Sequence, residues 1–277
     1  MQSAIHVEVL CDTSSAELAM ALRRFFALYR VPSFIYMDNL SSHVALKRWC
    51  LTKDSSNDGL PPPLQNLANL YRITFLCITP LSPWKGGMYE RMIGLLKTAL
   101  RKMGSHITSL SVFHTLIAEA TLLVNSRPLT PLNEEHGEVI TPRHFLFPYR
   151  GTLGDKGTYT LPETVKSGPD SLILAWKELN RHITLLWRCW SEEYLQALRE
   201  RNTVGANSRG QVPKKGEVVL CTEMTKDRRK WHLGIITDLR KDSDGVIRSV
   251  VVRHPDRKTY ARPPEALIPL ELRLEEQ

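Results

Sequence analysis

Cysteine and long apolar runs are both scarce in this sequence of 277 residues. Its five cysteines lie far apart, and no two of them have the short spacing of a zinc ligand pair. We therefore expect reduced thiols in an intracellular protein, without a disulfide framework. No apolar run approaches the ~18 residues of a membrane-spanning helix, and the first residues do not resemble a signal peptide.

Basic residues are in excess, with 37 Lys and Arg against 29 Asp and Glu, for a formal charge of +8. An excess of this size suits a polyanionic partner such as nucleic acid, and a solvated basic surface without a partner is the alternative. The hydrophobic fraction of 42% and the charged fraction of 24% are typical of a globular protein with a packed core.

Strands and helices alternate in the first part of the chain. Short β-rich runs predict strands at 4–10, 34–37 and 73–78. Helical spacing of apolar residues, with capping-box spacing at Ser14 and Glu17, predicts helices at 14–29, 44–51, 64–70, 88–103 and 111–125. Proline and glycine predict loops at 52–63 and 79–87. The order predicts an α/β domain over residues 1–150.

In the second half of the sequence the spacing of the apolar residues changes twice. Residues 151–170 are rich in glycine, proline and charge and predict a linker, and residues 171–201 predict a long amphipathic helix, so that 151–205 form a connecting segment. From residue 213 the period is two, with strands at 218–221, 231–239, 247–253 and 259–268 and a hairpin turn at Asp244-Gly245. We interpret residues 210–277 as a small all-β barrel.

Two carboxylates are candidate catalytic residues. Asp38 follows a buried strand, where ligand sites gather in open α/β sheets, although turn chemistry also explains an Asp there. Glu90 lies in the first turn of the predicted helix 88–103, where the helix dipole alone favours an acid. Glu90, Lys97 and Arg101 share one helical face, which suits a divalent metal beside a phosphate backbone. A charged, solvated helix face is the alternative.

Several motifs together are similar, in their order, to those of BEL/Pao retrotransposon integrases. They are YMDN at 36–39, PWKGGMYER at 83–91, NSRPLT at 125–130, LWRCWSEEYL at 186–195, GEVVL at 216–220 and WHLG at 231–234. The resemblance covers nearly the whole chain and implies a ribonuclease-H-like core followed by the family's C-terminal β domain. It also implies the transfer of element DNA ends into target DNA with Mg²⁺ or Mn²⁺, in the nucleus, by a homo-oligomer.

On this resemblance Asp38 is the second and Glu90 the third acidic metal ligand. The family's first Asp belongs to a strand upstream of 4–10, so we expect an incomplete core whose first strands are missing. We also expect the strand at 4–10 to lack its family neighbour. The family usually has Gly after Asp-Asn, whereas Leu40 stands here. Whether the chain is an enzyme stays open, and a non-catalytic nucleic-acid-binding remnant is the alternative.

Basic residues in the predicted barrel are candidate DNA contacts. Arg228, Arg229 and Lys230 lie between its first two strands, and cations in loops suit contacts with phosphates that carry no sequence information. The alternative is that these charges keep exposed sheet edges from pairing with other chains.

Overall fold

The structure is a computed structural model, and it describes residues 4–37, 49, 57, 59–77, 83–104, 107, 109–133, 138–146, 170–204, 213–222 and 231–271. For residues 83–90, 133, 138, 170–173 and 201–204 it describes the backbone alone. The chain divides into two compact units. We call His6–Glu90 the N-terminal unit, and Met1–Ile5 together with Arg91–Gln277 the C-terminal unit.

The described elements of the N-terminal unit follow the predicted order. They are α1 (Ser15–Leu28), β1 (Phe34–Met37), α2 (Pro62–Tyr71), β2 (Thr74–Cys77) and the first part of α3 (Pro83–Met103). Helix α1 begins as its sequence indicates, because the Ser14 side chain accepts a hydrogen bond of 3.1 Å from the Glu17 N–H. The predicted helix at 44–51 lies outside the described residues except for Trp49.

The sheet of the N-terminal unit has two parallel strands. β1 and β2 pair in register from Phe34 with Thr74 to Met37 with Cys77. At the other edge of β2 the Asn57 amide replaces a strand, since it accepts from the Phe75 N–H (3.0 Å) and donates to the Ile73 carbonyl (2.8 Å). The two predicted strands are therefore confirmed.

The core of the N-terminal unit lies between this sheet and the two helices. Helices α1 and α2 pack against each other. The buried apolar residues are Ala19 and Phe26 from α1, Met37 from β1, Leu64, Leu67 and Ala68 from α2, Leu60 just before α2, Ile73 and Phe75 at β2, and Trp49.

Two predictions for the first 80 residues are wrong. Residues 4–10 form no strand; instead the Asn125 amide, in the same unit as Ile5, accepts from the Ile5 N–H (2.8 Å) and donates to the Ile5 carbonyl (2.7 Å). A strand needs the backbone of a neighbouring strand as its hydrogen-bond partner, whereas the backbone of Ile5 bonds to the side chain of Asn125. The expectation of reduced thiols is wrong at Cys77, which is disulfide-bonded. Spacing along the sequence does not reveal which cysteines a fold brings together.

The C-terminal unit contains the rest of α3 and most of the remaining chain. Its other elements before the large sheet are α4 (Leu110–Asn125), the hairpin of β3 (Thr130–Asn133) and β4 (Glu138–Ile140), α5 (Pro142–Leu146) and α6 (Asp170–Val204). α4 and α6 pack together and confirm the two predicted helices. The hairpin and α5 were not predicted, because runs of three to five residues carry too little periodicity.

Five antiparallel strands form the sheet of the C-terminal unit. In the order along the sheet they are β8 (Thr259–Arg262), β7 (Ile247–Arg253), β6 (Leu233–Lys241), β5 (Val218–Cys221) and β9 (Leu267–Pro269). The hairpin at Asp244-Gly245 is confirmed, with Gly245 at φ +78°. Gly234 is required for packing, because a Cβ there would lie 2.1 Å from a Val252 methyl carbon.

The sheet differs from the predicted barrel in two ways. The predicted strand 259–268 is two strands, β8 and β9, separated by a 3-10 turn at Pro264–Ala266. Pro263 and Pro264 explain the break, because neither residue has an N–H for a sheet ladder. Among the described pairings β8 and β9 are opposite edges, so the ladders do not close. In the described residues these strands therefore form an open five-stranded antiparallel sheet, with register shifts between β6 and β7.

Candidate nucleic-acid interface

Helix α3 begins earlier than its sequence suggested. It starts at Pro83, so residues 83–87 are helical and not a loop. Proline is favoured in the first helical turn because it needs no hydrogen-bond partner there, which explains this start. Glu90 then lies about two turns inside the helix, and the helix dipole no longer explains an acid at this position.

The structure describes the side chain of neither candidate metal ligand, Asp38 or Glu90. Asp38 follows the last residue of β1 but lies outside the described residues, and the side chain of Glu90 is also outside the description. Their shared metal site stays a prediction. In the part of the chain that the structure describes, no group of three or more His, Cys, Asp and Glu side chains could hold a metal ion.

One face of α3 carries cations that point to solvent. Lys97 and Arg101 are both exposed, as the helical spacing predicted, while Met92, Leu96 and Ala99 on the other side are buried. Among the described side chains neither cation has an ion-pair partner.

Gly94 lies on the same face, one turn before Lys97. It is exposed, and a Cβ built on it meets no heavy atom within 4 Å. Bare backbone therefore adjoins the two cations, and a polyanion can approach this part of the helix closely.

The neighbouring cations of α3 are instead bound by α6. Arg91 donates to the Ala197 carbonyl (2.7 Å), and Lys102 donates to the Glu193 carboxylate. That hydrogen bond, together with the charge of Glu193, raises the pKa of Lys102. Arg91 and Lys102 thus contact α6, whereas Lys97 and Arg101 are exposed and pair with no acidic side chain in the described part of the chain.

The basic residues of the C-terminal sheet also include some that are bound by acidic side chains and some that have no ion-pair partner among the described residues. Arg248 lies between Asp242 and Asp244, at 3.1 Å from each carboxylate. Arg240 and Arg253 are exposed, and neither has an ion-pair partner among the described residues. The predicted contacts Arg228, Arg229 and Lys230 lie outside the described residues.

An aromatic cluster joins α6 to the start of β6, and sequence reasoning did not anticipate it. Trp190 stacks on Tyr194 at 5.1 Å, and Trp231 meets Trp187, Trp190 and Tyr194 edge-on at 5.0, 5.8 and 5.5 Å. Edge-to-face and offset contacts at these distances stabilise beyond the area they bury. Two of the motifs in the sequence, at 186–195 and 231–234, are therefore packing partners.

A buried ion pair ties the end of the sheet to the end of α4. The Arg127 guanidinium, 1% exposed, lies 3.2 Å from Glu271, and it also donates to the Val124 carbonyl. Tyr194 donates to the Pro128 carbonyl at 3.4 Å. Burial, reinforced by the charge of Glu271, raises the pKa of Tyr194 well above its usual value near 10. The motif at 125–130 is thus a structural hub.

Among the described residues no helix is both long and apolar enough to cross a membrane. A sequence profile described as "Family of unknown function (DUF5641)" matches residues 174–270, which run from α6 through β9. No curated protein matches the chain in sequence.

Among solved structures, the chain is similar to one in the simian T-cell lymphotropic virus intasome in complex with PP2A regulatory subunit B56 gamma. The TM-score is 0.31 and the sequence identity 13%, over 92% of this chain and 66% of that chain. This chain thus spans just under two thirds of that chain's length.

Proposed function

We propose that this chain is an integrase region of BEL/Pao type and that it binds DNA. The ordered motifs support the family, and the exposed face of α3 supports the DNA contact. The observation that carries the proposal is the contrast along α3, where Lys97 and Arg101 remain exposed while Arg91 and Lys102 are bound by α6. Cations without an internal partner can neutralise phosphates and release their counterions.

The arrangement on α3 suits a phosphate backbone in shape as well as in charge. Lys97 and Arg101 are four residues apart, so their Cα atoms are separated by about 6 Å along the helix axis. Gly94 leaves the preceding turn open to close approach. Arg228, Arg229 and Lys230 are proposed as a second group of phosphate contacts in the C-terminal unit.

For catalysis we propose the roles that the motifs imply. Asp38 and Glu90 would hold Mg²⁺ or Mn²⁺, because carboxylates are the ligands these ions prefer. The ion, when bound, would stabilise charge on the phosphoryl group that is transferred. A homo-oligomer acting in the nucleus belongs to the same proposal.

DNA binding is tested with single variants of the full chain. Lys97→Ala and Arg101→Ala should each weaken binding to unrelated duplexes about equally, and each should reduce the slope of log K against log salt by about 1. Lys102→Ala removes the same charge from the same helix and serves as the matched control, with its affinity unchanged. If all three variants bind like the wild type, or if the wild type binds no DNA, α3 is not an interface.

Strand transfer is tested separately, with Mg²⁺ and with Mn²⁺. Integration products that Glu90→Gln abolishes, with DNA affinity retained, would support the transferase. DNA binding without products under both metals would instead support the non-catalytic binding alternative.

A further inference from the structure

Three side chains of the kind that bind metal ions lie on one side of the C-terminal sheet. Side chains alternate between the two sides of a strand. Cys221 of β5 and Val252 of β7 belong to the same buried cluster, and His254 follows Val252 by two positions. His232 precedes by two positions Gly234, whose missing Cβ leaves room for a Val252 methyl group. Cys221, His232 and His254, which we call the Cys-His cluster, therefore share this side.

Backbone hydrogen bonds hold the three residues of the Cys-His cluster near one another. The Cys221 N–H donates to the His232 carbonyl (2.7 Å), which joins the end of β5 to the residue directly before β6. His254 begins a tight turn after β7, since its N–H donates to the Lys258 carbonyl and its carbonyl accepts from the Arg257 N–H, both at 2.9 Å. Sheet and turn geometry thus determine where the three side chains begin.

The distance between Cys221 and His254 is that of two ligands on one metal ion. The Cys221 Sγ lies 3.7 Å from the His254 Nε2. Zinc bonds of about 2.3 Å to sulfur and about 2.0–2.1 Å to nitrogen, at a tetrahedral angle, place these two atoms about 3.6 Å apart. The same distance suits an S–H···N hydrogen bond, so an ion can replace the shared proton with little movement of either side chain.

His232 is the third member of the Cys-His cluster. Its Nε2 is buried and has no hydrogen-bond partner in the described part of the chain, which is costly unless a partner binds. The ring centroids of His232 and His254 are 6.0 Å apart. Two imidazoles on one tetrahedral ion have centroids about 5 Å apart, so His232 must approach by about 1 Å. The described side chains accordingly contain no preformed set of three ligands, and binding has to complete it.

We propose that Cys221, His232 and His254 bind one Zn²⁺ ion, with water as the fourth ligand. When the ion binds, the Cys221 S–H bond breaks, its proton passes to the buffer and a sulfur–zinc bond forms. Each imidazole coordinates through the lone pair of Nε2 and keeps its hydrogen on Nδ1. Thiolate sulfur and neutral imidazole nitrogen are ligands that zinc prefers in proteins.

The ion would join the ends of three adjacent strands. Cys221 is the last residue of β5, His232 precedes β6 and His254 follows β7. A ligand that binds only the folded chain stabilises it by mass action, so Zn²⁺ should stabilise the C-terminal unit. This site is separate from the candidate carboxylate ligands Asp38 and Glu90, and it does not depend on DNA binding.

The probe is Co²⁺ added to the metal-free full chain, because Co²⁺ occupies tetrahedral zinc sites and absorbs light. The wild type should show a thiolate-to-cobalt charge-transfer band in the near ultraviolet and intense visible bands, saturating at one ion per chain. Zn²⁺ should displace both. Co²⁺ held by carboxylates alone, as proposed for Asp38 and Glu90, gives no thiolate band, so the spectrum separates the two sites.

Single variants assign the ligands. Cys221→Ser should abolish the charge-transfer band. His254→Ala and His232→Ala should each weaken Co²⁺ binding by more than the about 10–100-fold that loss of an outer-shell partner costs. Cys189→Ser is the matched control, since Cys189 is also a buried free thiol, and it should keep the band and the affinity.

Thermal unfolding provides a second readout. Zn²⁺ should raise the unfolding midpoint of the wild type and of Cys189→Ser with increasing concentration, and it should leave that of Cys221→Ser unchanged. Cooperative unfolding in EDTA shows that a variant is folded. If Cys221→Ser does not fold, His232→Ala still decides, because His232 is partly exposed and tolerates truncation more readily.

Three outcomes would overturn the proposal. A wild-type chain that shows no thiolate band with excess Co²⁺ has no such site. Loss of the band in Cys189→Ser would assign the thiolate to another cysteine. Unchanged affinity in His232→Ala would refute the three-ligand site. Each of these results leaves the proposed function intact, since that function is tested by DNA affinity and by strand transfer.

Discussion

The two units stabilise their sheets by different means. In the N-terminal unit two strands of four residues pair, and such a sheet is marginal unless other elements cover it. Its cover is an apolar core from α1 and α2, and its open edge is closed by one side chain, Asn57. The C-terminal sheet has five strands and is joined to α6 and α4 by aromatic rings and a buried ion pair between residues 144 positions apart.

The same comparison separates the two parts of the proposed function. Asp38 and Glu90 belong to the N-terminal unit, whereas Lys97, Arg101 and the cations of the large sheet belong to the C-terminal unit. Variants can therefore disturb the candidate metal chemistry and the candidate DNA contacts one at a time. The following predictions address the stability of each unit, from the largest effect to the smallest.

The largest effect is expected where the C-terminal unit depends on one buried charge pair. Arg127→Ala leaves Glu271 buried without its partner and should lower the free energy of unfolding by about 3–5 kcal/mol, measured by urea denaturation. The double variant Arg127→Met with Glu271→Leu removes both charges and should recover most of that loss. A loss below about 1 kcal/mol for Arg127→Ala would show that the aromatic cluster alone holds the sheet.

A smaller effect is expected at the edge of the N-terminal sheet. Asn57→Ala leaves the Phe75 N–H and the Ile73 carbonyl without their side-chain partner, which should destabilise this unit by about 2 kcal/mol. Hydrogen exchange should report the change as faster exchange at Phe75 with unchanged protection in β6 and β7. Asn57→Asp, which keeps the acceptor for the Phe75 N–H and loses the donor, should fall between the wild type and Asn57→Ala. Equal protection in all three proteins would refute the assigned role.

Alkaline pH should distinguish the C-terminal unit through Tyr194. Its folded-state pKa is raised by burial, so the unfolded chain loses the phenolic proton first as the pH rises above about 10. Stability should be constant below that pH and fall as the pH rises toward the folded-state pKa. Tyr194→Phe should lose about 1 kcal/mol at neutral pH with its hydrogen bond to Pro128. It should also show a weaker decline in urea midpoint between pH 9 and about 11, and an unchanged decline would assign the titration to another group.

The smallest effect is expected at Gly94, within α3, and at Gly104, just after its end. Gly94 has helical backbone and open space for a methyl group, so Gly94→Ala should stabilise the helix by about 0.5–1 kcal/mol. Gly104 follows the helix at φ +57°, which a residue with a Cβ adopts at a cost. Gly104→Ala should therefore destabilise the protein by about 1 kcal/mol. Thermal unfolding measures both, and a shift of the same sign in the two variants would contradict the backbone argument.

Local rules in the sequence determined much of the fold. The Ser14 cap, strands β1 and β2, the long helix α6 and the hairpin at Asp244-Gly245 all follow from neighbouring residues and short-range spacing. The exposed positions of Lys97 and Arg101 follow equally from helical periodicity. These features need no knowledge of distant residues, because capping, turn chemistry and amphipathic spacing act within a few residues.

Only the tertiary structure decided which polar side chains have an internal hydrogen-bond or ion-pair partner. Arg127 finds Glu271 across 144 positions, Asn125 binds the backbone of Ile5 across 120, and Lys102 finds Glu193 across 91. Sequence alone could not distinguish Arg248, which pairs with Asp242 and Asp244, from Arg253, which has no ion-pair partner among the described residues. A charge becomes available to a partner only when folding brings no opposite charge to it, and that depends on contacts between distant segments.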